Sequence, residues 1–251
     1  MANFFQTIFF EPIFNLLVFL YNVVPGHDMG VAIILLTVLI RLVLYPLNKQ
    51  SIKSQKSLQD LQPKIAELKE KYKGNQQDMG KAMMQLYKEN KVNPFSSCLP
   101  LLIQFPFLIA VFYVFRDGLS ADGGSLELVY SFISRPESLN PMSLGMFDLS
   151  KASPVLAILA GAAQYWQAKM MLAKRPPKQV QGAPGAKDED MTAIMSKQMV
   201  YFMPVITIFI GLTFPAGLTL YWLLTTVFTG LQQVYIFKKD KKLDVEVLDT
   251  K

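Results

Sequence analysis

The sequence predicts an all-α integral membrane protein with five transmembrane helices. Three observations carry that prediction. Of the 251 residues, 51% are hydrophobic and the mean hydropathy is +0.27, an average that soluble domains rarely reach. Apolar stretches near the roughly 20 residues needed to cross a bilayer recur at 29–47, 95–115, 152–172 and 199–237. Between them the charge alternates. Lysines crowd into 49–91, 169–197 and 238–251, whereas 117–150 holds one basic residue, Arg135, among five acids.

The elements follow in chain order. Residues 1–28 come first, and 1–26 contain no Lys or Arg. A secretory signal begins with a basic region, so this segment is expected to be retained. Glu11, Asn15 and Asn22 share one helical face, the pattern of an amphipathic helix lying in the membrane interface; a sixth span is the competing reading. Transmembrane 1 is expected over 29–48 and transmembrane 2 over 95–116. Transmembrane 3 follows at 152–173. The stretch 199–237 is too long for one crossing, and Phe214-Pro215-Ala216-Gly217 breaks it into spans 198–213 and 216–237, because Pro215 lacks the amide a continuing helix would use.

The Lys-rich segments 49–94, 174–197 and 238–251 are then cytoplasmic, and the acidic 117–151 connection lies outside. Five spans put the N-terminus outside and the C-terminus inside. Within 49–94, Leu58, Leu61, Ile65, Leu68 and Tyr72 recur at threes and fours, as do Met79, Met83, Leu86 and Asn90, with the turn signal Gly74-Asn75 between. That predicts an antiparallel coiled-coil hairpin, with Pro63 causing a kink or a late start. Residues 174–190, rich in Pro, Gly and charge, predict a mobile loop.

Arg41 is the most informative residue. A cation deep in a span costs several kcal/mol and usually faces a bundle interior or a wet cavity. Along one straight helix it lies about 12 Å before Lys49, too deep for comfortable snorkelling. No Asp or Glu occurs in any span. Thr37 is one turn earlier on the same face. Gln104 interrupts span two, Gln164 interrupts span three, and Thr225, Thr226, Gln232 and Gln233 interrupt span five. Each alone reads as interhelical glue; together with Arg41 they predict a shared hydrophilic chamber. Tyr165, Trp166, Tyr221 and Trp222 read as interface-belt aromatics. Met170, Met171, Met195, Met199 and Met203 suit an adaptable apolar surface or ordinary packing.

Catalysis finds little support. His27 is the only histidine and Cys98 the only cysteine, which nearly excludes zinc sites, His-based triads and disulfides. Neither GxSxG nor HExxH occurs, and no phosphate-binding Gly-rich loop does. No cofactor and no DNA binding are expected.

Four pieces together resemble the YidC/Oxa/Alb membrane protein insertases, from about residue 11 to 240. They are GVAIILLTVLIRLVLYPLNKQSIKSQKSLQDLQPKI, LYKENKVNPFSSCLPLLIQFPFLIAVFYVFR, MVYFMPVITIFIGLTFPAGLTLYW and LQQVYI. The resemblance implies a hydrophilic groove in the inner half of the bacterial cytoplasmic membrane, open to cytoplasm and lipid. It places the groove arginine on Arg41, its neighbour on Thr37, the span-two glutamine on Gln104 and a groove aromatic on Trp222. Where the family often has Asn, this chain has Thr226. The large extracytoplasmic domain of Gram-negative members and a lipoprotein-type cysteine near the start are not expected. The implied activity is insertion and folding of nascent membrane proteins. The implied partners are those clients and lipid, with the ribosome, through the basic cytoplasmic segments, and the SecYEG translocon as further candidates. Two other readings compete: an anion or small-solute transporter using Arg41 as counter-ion, and a structural scaffold.

Overall fold

The computed structural model describes residues 3–72, 74–93, 99–117, 124–170 and 186–249. They form two compact units, the first made of Met1–Tyr45, Leu101–Gln164 and Pro204–Phe228, the second of Pro46–Pro100, Tyr165–Met203 and Thr229–Lys251.

In the first unit, Asn3–Phe5 and a π-helical stretch Gln6–Phe10 lead into α1 (Glu11–Val23). The stretch Gln6–Val23 is long and apolar enough to cross a membrane. Its polar face is not turned to water as an interfacial helix predicts. The Asn15 amide donates to the Leu128 carbonyl at 3.0 Å and accepts from the Tyr130 N–H at 2.7 Å, and Asn22 donates to the Ser134 carbonyl at 2.6 Å. Phe14, Leu17 and Val18 are fully buried, and α1 packs along α2 (Met29–Val43).

Asp28 starts α2. Its extended backbone (φ −79°, ψ 117°) and its carboxylate, which accepts from the Val31 N–H at 2.9 Å, satisfy one of the first-turn donors a helix leaves open. The same carboxylate accepts the Ser143 hydroxyl at 3.1 Å and the Leu144 N–H. Burial pushes this carboxyl up, but hydrogen bonds from Leu144, Val31, Ser143 and Gly30 outweigh it and hold its pKa below the ordinary value. A lowered folded pKa stabilises the fold above the ordinary carboxylate pKa and loses that contribution as pH falls through the lowered one. Asp28→Ala is expected to destabilise the protein by about 1–2 kcal/mol. It should also remove part of the acid sensitivity between those two pKa values. Thermal unfolding of detergent-purified protein across acidic pH checks both; identical curves for variant and wild type would show the cap to be idle.

The span expected over 29–48 is broken. α2 ends at Val43 and α3 (Tyr45–Asp60) begins after Leu44. Pro46 is the cause: it has no N–H for the Leu42 carbonyl, and its ring crowds that carbonyl. α6 (Leu99–Asp117) and α7 (Pro154–Met170) lie in the stretches expected as spans two and three. Pro215 separates α8 (Ala186–Thr213) from α9 (Ala216–Asp249) as the sequence predicts. Phe14, Met29, Ile33, Leu36, Val111, Val114 and Tyr221 form one buried cluster. α7 meets α8 through small residues: Ala157, Ala160 and Gly161 are buried, and Gly211 of α8 lies against Ala157.

A two-stranded antiparallel hairpin occupies the predicted outside connection: β1 (Met142–Ser143) and β2 (Phe147–Asp148), with Ser143 opposite Phe147. Leu144 (φ +51°) and Gly145 (φ +68°) turn the chain, closed by a Met146 N–H to Ser143 carbonyl bond of 3.1 Å. β1 contacts α2, and Gly30 leaves no room for a side chain, since a Cβ there would lie 2.0 Å from Ser143 Oγ.

In the second unit α3 is followed by α4 (Gln62–Lys71), which has Pro63 in its first turn, and by α5 (Gln76–Glu89). α4 and α5 pack on one another, linked through Gly74 at φ +87°. Leu61 and Ile65 are buried, while Leu68, Met79, Met83 and Leu86 are half-buried, as a two-helix seam with one open side requires.

One expected boundary is corrected, and the tail gains a secondary structure that the sequence leaves open. Residues 186–197, assigned to a loop, are the first part of α8; Asp188, Glu189 and Asp190 suit a helix start through the macrodipole. The tail from 238 is helical through Asp249. The remainder of the expected mobile loop, 174–185, lies outside the described residues, as do Cys98 and Met171.

Candidate functional site: a polar cluster around Arg41

Arg41 sits in the last turn of α2, two residues before the break. A cation is favoured there by the negative end of the helix dipole. The 12 Å separation from Lys49 assumed one straight helix, so the break at Leu44 means it does not measure depth. The Arg41 side chain is only partly accessible, and its Nη2 donates to the Thr225 carbonyl of α9 at 2.8 Å. A neutral carbonyl orients the guanidinium, and among the described residues no carboxylate pairs with it. Arg guanidinium carries five N–H donors, so further donors stay available to an arriving acceptor.

Gln104 of α6 donates through Nε2 to the Tyr221 hydroxyl at 2.6 Å. Tyr221 is 1% exposed, and its hydroxyl lies beside the Thr225 side chain and feels the Arg41 charge. Tyr221 and Thr225 are four residues apart on α9, hence on one face. Three helices therefore bring one cation, one amide, one phenol and one hydroxyl residue to the same place, all within the first unit.

The predicted site residues divide accordingly. Arg41 and Gln104 join this cluster. Thr37 is fully buried, and its hydroxyl donates to the Ile33 carbonyl of its own helix at 2.7 Å. Thr226 is buried beside Thr225. Gln164 and Trp222 are half-buried, and neither is part of the chain of bonds running from Arg41 to Gln104. Tyr221, expected in an aromatic belt, is corrected to a buried cluster member. Adjacent aromatics on a helix point about 100° apart, so Tyr221 and Trp222 cannot both face the same way. The signal that could have selected Tyr221 is its four-residue spacing from Thr225.

Apolar side chains remain exposed along the helices of this unit, among them Leu35 and Leu39 on α2, Ile158 on α7 and Val205 and Phe209 on α8. Exposed apolar faces around an internal polar cluster are the arrangement of a helical membrane protein. Comparison with known proteins agrees: the chain belongs to the 60Kd inner membrane protein family, whose model matches residues 19–243.

Curated relatives carry the name membrane protein insertase YidC. The Tolumonas auensis protein is 37% identical over 234 residues, covering 92% of this chain and 36% of the relative. That of Geobacter metallireducens is 36% identical over 230 residues, covering 91% and 36%. That of Shewanella woodyi is 38% identical over 228 residues, covering 90% and 36%. The chain thus spans about a third of the length of the relatives it matches.

Proposed function

We propose that this chain is a membrane protein insertase and chaperone, non-enzymatic in action, that passes short polar segments of nascent membrane proteins across the inner membrane. The supporting observation is Arg41: a partly buried cation at a helix end, oriented by a neutral carbonyl and flanked by Gln104, Tyr221 and Thr225. The names borne by the relatives point the same way.

The mechanism follows from elementary costs. A polar tail attached to a hydrophobic segment must leave water, and an unpaired carboxylate entering hydrocarbon is heavily penalised. A hydrophilic groove lined by Arg41, Gln104, Thr226, Trp222 and Gln164, with Thr37 behind Arg41, lowers that penalty. Arg41 attracts acidic groups, with no carboxylate paired to it among the described residues. The client's apolar segment then slides into lipid, and its burial drives the step.

In this reading five helices cross the membrane with the N-terminus outside. The α4–α5 pair receives clients on the cytoplasmic side. The basic stretch 238–242 contacts ribosomal RNA or anionic lipid through phosphate attraction, and SecYEG is a candidate neighbour.

The test is insertion of a single-span client with a short translocated tail into liposomes containing only this protein. Protease protection of the tail should appear with the protein and be missing from empty liposomes. Equal protection in both, across several clients and with folded protein, would return the anion-transporter and scaffold readings to the front.

A further inference from the structure

The hairpin β1–β2 ends in a tip whose composition is wrong for water. Residues 141–147 read Pro-Met-Ser-Leu-Gly-Met-Phe, with no charge among them. Leu144 is 67% exposed and Met146 72%, with Phe147 exposed beside them. Tight hairpin turns with left-handed residues ordinarily use Asn, Asp or Gly, which tolerate that backbone. Here Leu144 takes φ +51°, a conformation that crowds its Cβ.

The turn is held there by the span beneath it. The Leu144 N–H and the Ser143 hydroxyl both go to the Asp28 carboxylate that caps α2. Ser143 rests against Gly30 in the first turn of that helix. The strand's other end is tied to a second helix start, with the Gly217 N–H bonded to the Leu149 carbonyl at 3.0 Å and the Ala216 N–H to the Lys151 carbonyl at 2.8 Å. Charge returns only at the base, where Asp148 pairs with Lys151 at 2.9 Å.

We infer that this tip is a membrane anchor: Leu144, Met146 and Phe147 insert into the headgroup–acyl boundary of the lipid leaflet at which α2 and α9 begin. Two helix starts that open apolar spans lie at that boundary, and a hairpin bonded to both is fixed at the same level. Ile34 and Leu35 are exposed apolar residues of the same helix, α2, whose start holds the tip. Lipid therefore covers these residues and the tip. Asp148 and Lys151 mark the polar limit, as charged residues do at the edge of an interfacial segment. The anchor depends on α2 and α9 crossing the membrane and not on insertase activity.

Depth-dependent fluorescence quenching tests it. With Cys98→Ser as background, Met146→Cys is labelled with the environment-sensitive dye NBD in the full chain and reconstituted into phosphatidylcholine–phosphatidylglycerol vesicles at high lipid-to-protein ratio. Exposed Glu137→Cys, in the same connection, is the control. The Met146 label is expected to emit blue-shifted light and to be quenched several-fold more than the Glu137 label by lipids carrying a nitroxide near the headgroup. Nitroxides near the chain end should quench it less. Phe147→Cys gives an independent reading should the first variant not fold. Water-like emission at both tip positions overturns the anchor. A blue shift without lipid quenching also overturns it, because a protein partner or a second copy would then cover the tip. Client insertion measured on the same vesicles stands apart from either result.

Discussion

Replacing Arg41 with alanine is expected to reduce insertion of clients with acidic translocated tails by about tenfold, equivalent to about 1.4 kcal/mol, while clients with neutral tails change little. The magnitude lies between two limits. Two unit charges 4 Å apart attract by about 4 kcal/mol at an effective dielectric near 20. A fully solvated pair is worth about 0–1 kcal/mol. A partly accessible guanidinium falls between them.

The structure also separates this electrostatic role from a structural one. The Thr225 carbonyl that receives Arg41 lies inside α9, where the helical ladder already uses it. Removing the guanidinium therefore orphans no essential acceptor, and the variant should unfold near the wild-type temperature. Arg41→Lys should recover part of the acidic-client activity, since it keeps the charge and loses the five-donor fork. Protease protection of matched acidic and neutral tails, at equal protein levels, reads the outcome. Equal losses for both classes would remove the counter-charge role and leave Arg41 as a packing or hydration element.

Much of this fold is legible in the sequence because its punctuation is local. Pro215 separates α8 from α9, and Pro63 lies in the first turn of α4, each where a missing amide must end a ladder. Pro46 obeys the same rule, yet the break at Leu44 is easy to miss, since the apolar run continues through Leu47 and hydropathy says nothing of backbone continuity. Asp28, directly before an apolar run, carries a helix-start signature. Its second task, holding Leu144, joins positions 116 residues apart and leaves no local trace.

The site divides in the same way. Arg41 stands out because charge in a span is rare. Tyr221 and Trp222 are neighbours in sequence with opposite fates, and only the rotation of α9, set by packing against α6, decides which one meets Gln104. The 142–148 hairpin was invisible for another reason. Of its turn residues, Gly145 is usual, but Leu144 lacks the polar signature by which hairpins are recognised, an omission that the lipid-facing role of the tip accounts for.

Substitutions at the α7–α8 contact should give a large stability effect. In an apolar solvent, helices gain little from apolar burial alone and associate through close packing, which small residues permit. Here a Cβ at Gly161 would lie 2.4 Å from Ile208 Cγ1, 2.8 Å from its Cδ1 and 3.1 Å from the Pro204 carbonyl oxygen. Ile208 can rotate to some extent; the Pro204 carbonyl, fixed in the α8 backbone, cannot. Gly211 repeats the approach from the other helix, with its Cβ position 2.8 Å from Ala157 Cβ and 2.9 Å from Ala157 Cα.

Gly161→Ala is therefore expected to destabilise by about 1–3 kcal/mol, the usual range for overpacking. Gly161→Leu should exceed that, because the longer side chain forces the helices apart along the whole contact. Gly80 supplies the control: it lies inside α5, and nothing stands within 4 Å of the Cβ it would gain. Gly80→Leu should be neutral or stabilising by up to about 1 kcal/mol, since glycine is a poor helix former. Unfolding midpoints in a mild detergent, followed by circular dichroism, should rank Gly80→Leu at or above wild type, then Gly161→Ala, then Gly161→Leu. A Gly161→Leu midpoint equal to wild type would mean that α7 and α8 are not held at this distance, and that small residues there serve some end other than close approach.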